Sequence, residues 1–132
     1  MDCALEMTLE YLRTRVQFGK PIGSFQALQH RAVDLYIQKE LTRAALDAAA
    51  ATLDDPGCTP AQRAAAASGA KARASQAALA ICGEALQMHG AIGFTDEYDL
   101  GLYLNRALVL SAWLGNASTH RSRYAALTEV AA

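Results

Sequence analysis

The stretch from Thr59 to Gly90 constrains the fold more than any other. Thr59-Pro60-Ala61-Gln62 supplies an N-capping hydroxyl, a proline at the first helical position and a glutamine three residues after the cap. In that arrangement two backbone N–H groups that a helix start leaves unpaired find side-chain partners. The helix is expected to run to about His89, first through small residues such as Ala64, Ala67 and Ala70, then through Leu79, Ile81, Leu86 and Met88. Small side chains let a neighbouring helix approach closely. About a fifth of all residues are alanine and few are β-branched, so local propensity favours helix nearly throughout and no segment reads as a strand.

The flanking segments follow the same logic. From the N-terminus to about Arg15, Leu5, Leu9 and Leu12 fall on one stripe, with Glu6, Glu10 and Arg13 outside it. No capping residue precedes that pattern, which leads to the expectation of a helix continuing upstream in a longer parent. Phe18-Gly19-Lys20-Pro21-Ile22-Gly23-Ser24 stops the helix, and Ser24 is the expected cap of the next. Between Phe25 and about Leu53, Leu28, Ala32 and Leu35 form one stripe and Val33, Ile37 and Leu41 a second, the pattern of a helix buried on more than one side. Asp54-Asp55-Pro56-Gly57 ends it. After Gly90-Ala91-Ile92-Gly93-Phe94-Thr95, Asp96 or Asp99 is expected to cap a fourth helix carrying Leu100, Tyr103, Leu104 and Ala107 and ending near Gly115. Asn116 is expected to cap a last segment to about Leu127, with Val130-Ala131-Ala132 fraying. Long helices joined by short polar breaks imply an all-α, up-and-down four-helix bundle formed by residues 1–132 as one domain.

Composition narrows the function classes. The chain has 132 residues, 52% hydrophobic and 19% charged, enough to build one core without disulfides. Twelve basic and thirteen acidic residues leave a net charge of -1, and the basic stripe of a nucleic-acid binder is missing. Arg63, Lys71 and Arg73 interrupt the Ala-rich run, so membrane insertion is not expected, and the start lacks the order of a signal peptide. Cys3, Cys58 and Cys82 are odd in number and far apart, which argues against a disulfide framework and fits a reducing, cytoplasmic setting. His30, His89 and His120 show no zinc-ligand spacing, and Ser118-x-His120 has no definable acid for a triad. Tyr11, Tyr36, Tyr98, Tyr103, Trp113 and Tyr124 read as bundle packing with wet polar tips. Glu6, Glu10 and Glu40 read as solvated surface, whereas Glu84, near Leu86 and Met88 on an apolar helix, needs a partner or a proton.

Two segments carry possible chemistry. In Arg15-Val16-Gln17-Phe18-Gly19-Lys20-Pro21-Ile22, followed by Phe25-Gln26, Arg15 offers a fork of donors suited to a diphosphate, and Gln17 and Gln26 add neutral hydrogen bonds beside a helix N-terminus. An ordinary helix-loop-helix corner accounts for the same residues on spacing alone. In Gln87-Met88-His89-Gly90-Ala91-Ile92-Gly93-Phe94, a glycine-bearing turn lets a flat ligand near the backbone, with Gln87 and His89 as side chains to face it. A C-terminal glycine stop explains Gly90 equally well.

Taken in order, Arg-x-Gln-Phe-Gly-x-Pro-Ile with Phe-Gln behind it, a long helical interval and Gln-x-x-Gly-x-x-Gly-Phe resemble the C-terminal helical domain of acyl-CoA dehydrogenases from about Met1 to Leu127. The resemblance implies a flavoprotein built from an N-terminal helical domain, a middle β-domain and a C-terminal four-helix bundle, assembled as a homo- or hetero-oligomer, a dimer or tetramer. It implies that Arg15 contacts the FAD diphosphate of a neighbouring subunit with Gln17 and Phe18 beside it, that Phe25 and Gln26 make a second contact, and that Gln87, His89, Gly90 and Ala91 meet the adenylate portion. Gln87 and Gly90 are the better matches. The family often has a second glycine where Ala91 stands, and the extra methyl weakens that match.

The reaction implied is oxidation of an acyl-CoA thioester, a glutamate removing the α-proton while hydride passes to the flavin. Counting from Gly93, the common position of that glutamate falls on Leu114, which cannot accept a proton. Some branches carry it upstream of the residue matching Met1. No catalytic residue is therefore assigned in this chain, and no metal ligand. Three expectations stay open: a fragment of an enzyme with its glutamate upstream, a subunit paired with an unlike active partner, or a member that has lost dehydrogenation. A stand-alone helical oligomerisation module is the alternative of a different class. In either case apolar surface meant for flavin or partner implies self-association. Fatty, branched and steroid side-chain thioesters all stay open as substrates.

Overall fold

The computed structural model describes residues 1–95 and 97–129. Among the described residues there are five α-helices: α1 (Asp2–Thr14), α2 (Gln26–Asp54), α3 (Pro60–His89), α4 (Leu100–Ala112) and α5 (Ala117–Glu129). α4 and α5 both pack along α3 and together make the fourth rod of the bundle, interrupted at Trp113–Asn116. The all-α expectation holds, with one correction. Val16–Gln17 (β1) and Lys20–Pro21 (β2) pair antiparallel as a miniature hairpin, where no strand was expected. Two-residue strands are too short to leave a periodic signal. What builds the hairpin is its turn, Phe18 at φ 53 and Gly19 at φ 76, the two consecutive left-handed residues of a tight type I′ connection. The tip leaves Phe18 90% exposed.

The caps divide into met and unmet expectations. Thr59 Oγ1 accepts from Gln62 N and Gln62 Oε1 from Thr59 N, the full capping box of α3, a pairing of about 1 kcal/mol. Asn116 Oδ1 accepts from Thr119 N as expected. Ser24 does not cap α2: its hydroxyl donates to Pro21 O, inside a short 3₁₀ turn at Ile22–Ser24, and Phe25 occupies the cap position. Asp99 stands at the start of α4 but its side chain caps nothing, and Asp96 lies outside the described residues, as do Val130-Ala131-Ala132. α4 ends at Ala112, three residues before the Gly115 stop, because Trp113 turns extended at ψ 132, and Leu114 and Gly115 then turn left-handed at φ 60 and 107.

The core forms as two clusters on either side of α3. Leu5 and Leu12 of α1, Ala32 and Leu35 of α2, and Ile81 and Met88 of α3 make one. Ala4 of α1, Cys82, Ala85 and Leu86 of α3, and Leu100 and Ala107 of α4 make the other. The small residues of α3 do admit close neighbours, since a Cβ at Gly69 would stand 3.2 Å from the Tyr124 ring of α5. Glu84 has the partner it needed, an ion pair with Arg31 of α2. Lys71 Nζ donates to Leu110 O at 2.6 Å, satisfying a carbonyl at the end of α4.

The second stripe of α2 is a further correction. Val33, Ile37 and Leu41 are 55%, 45% and 52% exposed, and Tyr36 beside them is exposed too. Only the Ala32–Leu35 stripe faces the core, because α3 covers α2 from one direction. Tyr11, Tyr98 and Tyr103 are half-buried as expected of packing residues, whereas Tyr36, Trp113 and Tyr124 are exposed. No helix among the described residues is long and apolar enough to cross a membrane.

Candidate functional site

The elbow after α1 is fixed by backbone contacts. Arg15 closes α1 with extended dihedrals, its N–H donating to Tyr11 O, and its carbonyl accepts from Ile22 N at 2.8 Å, which extends the hairpin ladder. The elbow folds back on the last turn of α1 so tightly that a Cβ at Gly23 would stand 2.8 Å from Leu12 O. Gln29 Nε2 donates to Gly23 O and ties the elbow to the first turn of α2. Phe25 meets Phe18 edge to face with ring centres 6.1 Å apart, and Lys20 Nζ sits 4.3 Å above the Phe25 ring. On this frame Arg15, Gln17 and Gln26 are exposed, and their side chains have no hydrogen-bond partner among the described residues.

The second corner ends α3. Gly90 adopts φ 65, ψ -140, a conformation that strains any residue with a side chain, and a Cβ there would meet nothing within 4 Å. The backbone face at Gly90 is therefore open. A Cβ at Gly93 would stand 2.9 Å from Leu86 O, so the following 3₁₀ turn (Gly90–Phe94) lies flat on the end of its own helix. Gln87 and Ala91 are exposed, and the Gln87 side chain is without a partner among the described residues.

His89 departs from expectation. Its side chain turns into the bundle, not toward a ligand: the residue is 3% exposed, and Nδ1 lies 2.8 Å from Ala85 O, which makes Nδ1–H the donor. Nε2 is buried without a partner among the described residues. The ring stacks on Tyr11 at 4.3 Å and 21°, and Tyr98 leans on it at 5.0 Å. Helical spacing explains the inward turn, since His89 stands one turn after the buried Ala85 and one position after the buried Met88. Sequence reasoning missed Tyr11, whose aromatic ring one turn before Arg15 was the available signal.

These contacts bring the two corners together at one end of the molecule. Tyr11 precedes Arg15 by one helical turn and stacks on His89, the neighbour of Gly90, while Leu12, Ile22 and Met88 belong to one packed cluster. Between them the two corners carry one exposed guanidinium, three exposed amides and an open glycine backbone, a set suited to a diphosphate and the flat ring attached to it.

Leu114 lies away from both corners. It is 75% exposed, its carbonyl accepts from His120 Nε2 at 3.1 Å, and it borders a cavity of about 420 Å³ that Lys71, Cys82, Tyr103, Arg106 and Trp113 also line. No carboxylate lines that cavity among the described residues. No group of three His, Cys, Asp or Glu residues with metal-holding geometry occurs among them either.

Burial pushes the His89 imidazole below its ordinary value, and its backbone bond to Ala85 only partly opposes this. Because the folded pKa lies below the unfolded one, near 6.5, the stability held in the neutral ring is complete above about pH 6.5 and is lost as pH falls toward the lowered value. Thermal unfolding should accordingly show a steeper loss between pH 7 and 5 for the native protein than for His89→Phe. Parallel curves would show that the ring does not titrate in that window.

Comparison with known proteins agrees with the helical fold. The family model described as "Acyl-CoA dehydrogenase, C-terminal domain" matches residues 1–127. Acyl-CoA dehydrogenase IpdE2 of Mycolicibacterium smegmatis is 45% identical over 103 residues, which is 78% of this chain and 30% of that protein. Among solved structures, the ChsE4-ChsE5 complex of Mycobacterium tuberculosis superposes with a TM-score of 0.86 at 31% identity, over 98% of this chain and 34% of that one. The FAD complex of PigA does so with a TM-score of 0.86 at 27% identity, over 98% of this chain and 33% of that one. The chain thus spans about a third of the length of the relatives it matches. By the family model, the shared sequence and the shared bundle, the chain belongs to the acyl-CoA dehydrogenase family of oxidoreductases and corresponds to their C-terminal helical domain.

Proposed function

We propose that residues 1–132 are one domain, the C-terminal bundle of a longer FAD-dependent acyl-CoA dehydrogenase, and that it serves as one wall of the flavin site and as a subunit interface. The observation that carries this reading is the adjacency of the two corners, with Arg15, Gln17, Gln26 and Gln87 exposed and uncommitted beside an open Gly90. Arg15 binds the diphosphate, Gln17 and Gln26 hydrogen-bond beside it, and Phe18 and Phe25 give an apolar edge. Gln87, Gly90 and Ala91 take the adenylate end, with His89 behind them. Bound FAD supplies the two-electron acceptor for α,β-dehydrogenation of an acyl-CoA thioester. The fit to the residues is good, since a flat ligand needs backbone without a Cβ in its way and a diphosphate needs donors not already spent on the protein.

The exposed stripe Val33, Tyr36, Ile37 and Leu41 on α2 is the surface through which copies or unlike subunits join, and the flavin belongs to the neighbouring subunit. Three free cysteines suit a reducing, cytoplasmic setting. A second reading rests on Leu114: with leucine at the position of the common base and no acid lining the adjacent cavity among the described residues, the chain is the non-catalytic subunit of a pair.

The full-length protein that contains this bundle, once purified, should carry oxidised-flavin absorbance that bleaches anaerobically on adding an acyl-CoA. Flavin without bleaching, followed by bleaching once an unlike partner is present, selects the second reading. A protein that neither purifies with FAD nor takes it up contradicts both.

A further inference from the structure

Resting on the flavin reading above, we infer that His89 is a positioning residue, a neutral aromatic clamp with Tyr11 that sets the separation between the Arg15 corner and the Gly90 corner. Its side chain cannot reach a ligand on the outer surface, because it is 3% exposed and turned inward. The burial of Nε2 without a hydrogen-bond partner among the described residues is what needs explaining, since an unsatisfied buried nitrogen costs stability that a leucine or phenylalanine at this place would not.

The geometry supplies the explanation. Nδ1–H donating to Ala85 O locks the ring rotamer and leaves Nε2 as a bare lone pair, so the imidazole stays uncharged and flat. In that form it lies 4.3 Å from Tyr11 at an interplanar angle of 21°, a parallel stack, while Tyr98 leans on it at 5.0 Å and 52°. Tyr11 and Tyr98 are themselves edge to face at 6.3 Å, so three rings from three parts of the chain form one unit. The unit joins the last turn of α1 to the last residue of α3 at the level where both chains leave their helices. Arg15 follows Tyr11 by one helical turn, and its N–H bonds to Tyr11 O. Gly90 follows His89 directly. A shift in the stack is therefore handed to both ligand-facing corners, and a two-point grip on one nucleotide tolerates little error in span.

The test uses the protein purified with its flavin, stripped and titrated with FAD. His89→Ala should weaken FAD binding about tenfold, and His89→Phe, which restores a flat ring on Tyr11 but no donor to Ala85, should recover affinity to within about twofold of the native protein. Tyr11→Leu, which keeps an apolar side chain but removes the stack, should weaken binding like His89→Ala and serves should that variant not fold. Native-like affinity in both His89→Ala and Tyr11→Leu, while Arg15→Ala loses the flavin, overturns the clamp and leaves the flavin reading standing. Failure of His89→Phe to recover binding also overturns it. If Arg15→Ala binds FAD as well as the native protein, the flavin reading itself falls and the clamp with it.

Discussion

Replacing Arg15 by alanine should lower FAD affinity by about 10- to 100-fold, as expected for deleting a fork of charged donors from a diphosphate, and leave thermal stability nearly unchanged. The separation of the two effects follows from the surroundings of the side chain. It is exposed and makes no hydrogen bond within the described residues, while the elbow is held by the backbone of residue 15, which alanine retains. Arg15→Lys should recover only part of the loss, because an ammonium keeps the charge and loses the paired geometry. The measurement is a flavin titration followed by fluorescence, repeated at several salt concentrations, with the native protein more salt-sensitive than the alanine variant. Equal affinity of native and alanine proteins would remove the diphosphate contact from the account.

Ile81→Ala should be the most destabilising of the truncations in the α1–α2–α3 cluster. Ile81 is fully buried and packs in the same cluster as Leu5 and Leu12 of α1 and Ala32 and Leu35 of α2. Alanines already surround the neighbouring stretch of α3, so there is little flexible side chain to collapse into the space left behind. A loss of about 2–5 kcal/mol is expected for such a site. Denaturant unfolding of native and variant protein would measure it, and a loss below about 1 kcal/mol would mean that the helices close over the gap. Ile81→Val at the same site should cost about 0.5–1.5 kcal/mol.

Much of the fold was legible because helix starts and stops are local chemistry. Thr59 and Gln62 announced the capping box, and Asn116 announced the start of α5, since in each case the side chain that satisfies the backbone is within three residues of it. The misreadings share a cause. Ser24 was the right residue type for a cap, but the Ile22–Ser24 turn gave its hydroxyl a nearer acceptor in Pro21 O, a competition that residue type does not reveal. The hairpin at Val16–Pro21 depends on Phe18 adopting a positive φ, which no propensity favours. On α2, an apolar stripe such as Val33, Ile37 and Leu41 reads the same in sequence whether it faces a core or another molecule.

The site was legible as two motifs but not as one place. Arg15, Gln17, Phe18, Phe25 and Gln26 are near in sequence, as are Gln87 to Ala91, yet what joins them is the stack of Tyr11 on His89, a contact between residues far apart in the chain. The sequence marked His89 as a polar group for a ligand because it adjoins Gly90. Only the position of α1 against α3 shows that its ring faces inward.

Every other helix of the bundle rests on α3, and this divides the molecule's freedom to vary unevenly. At Ala77 and Ala85, almost wholly enclosed, a larger side chain would push against packed neighbours with nowhere to turn. Along the outer side of α2, at exposed positions such as Val33, Ile37 and Leu41, a new residue meets solvent and not the packed core. Relatives that diverge should therefore keep the central rod nearly fixed and change their outer face, acquiring different associates without rebuilding the scaffold.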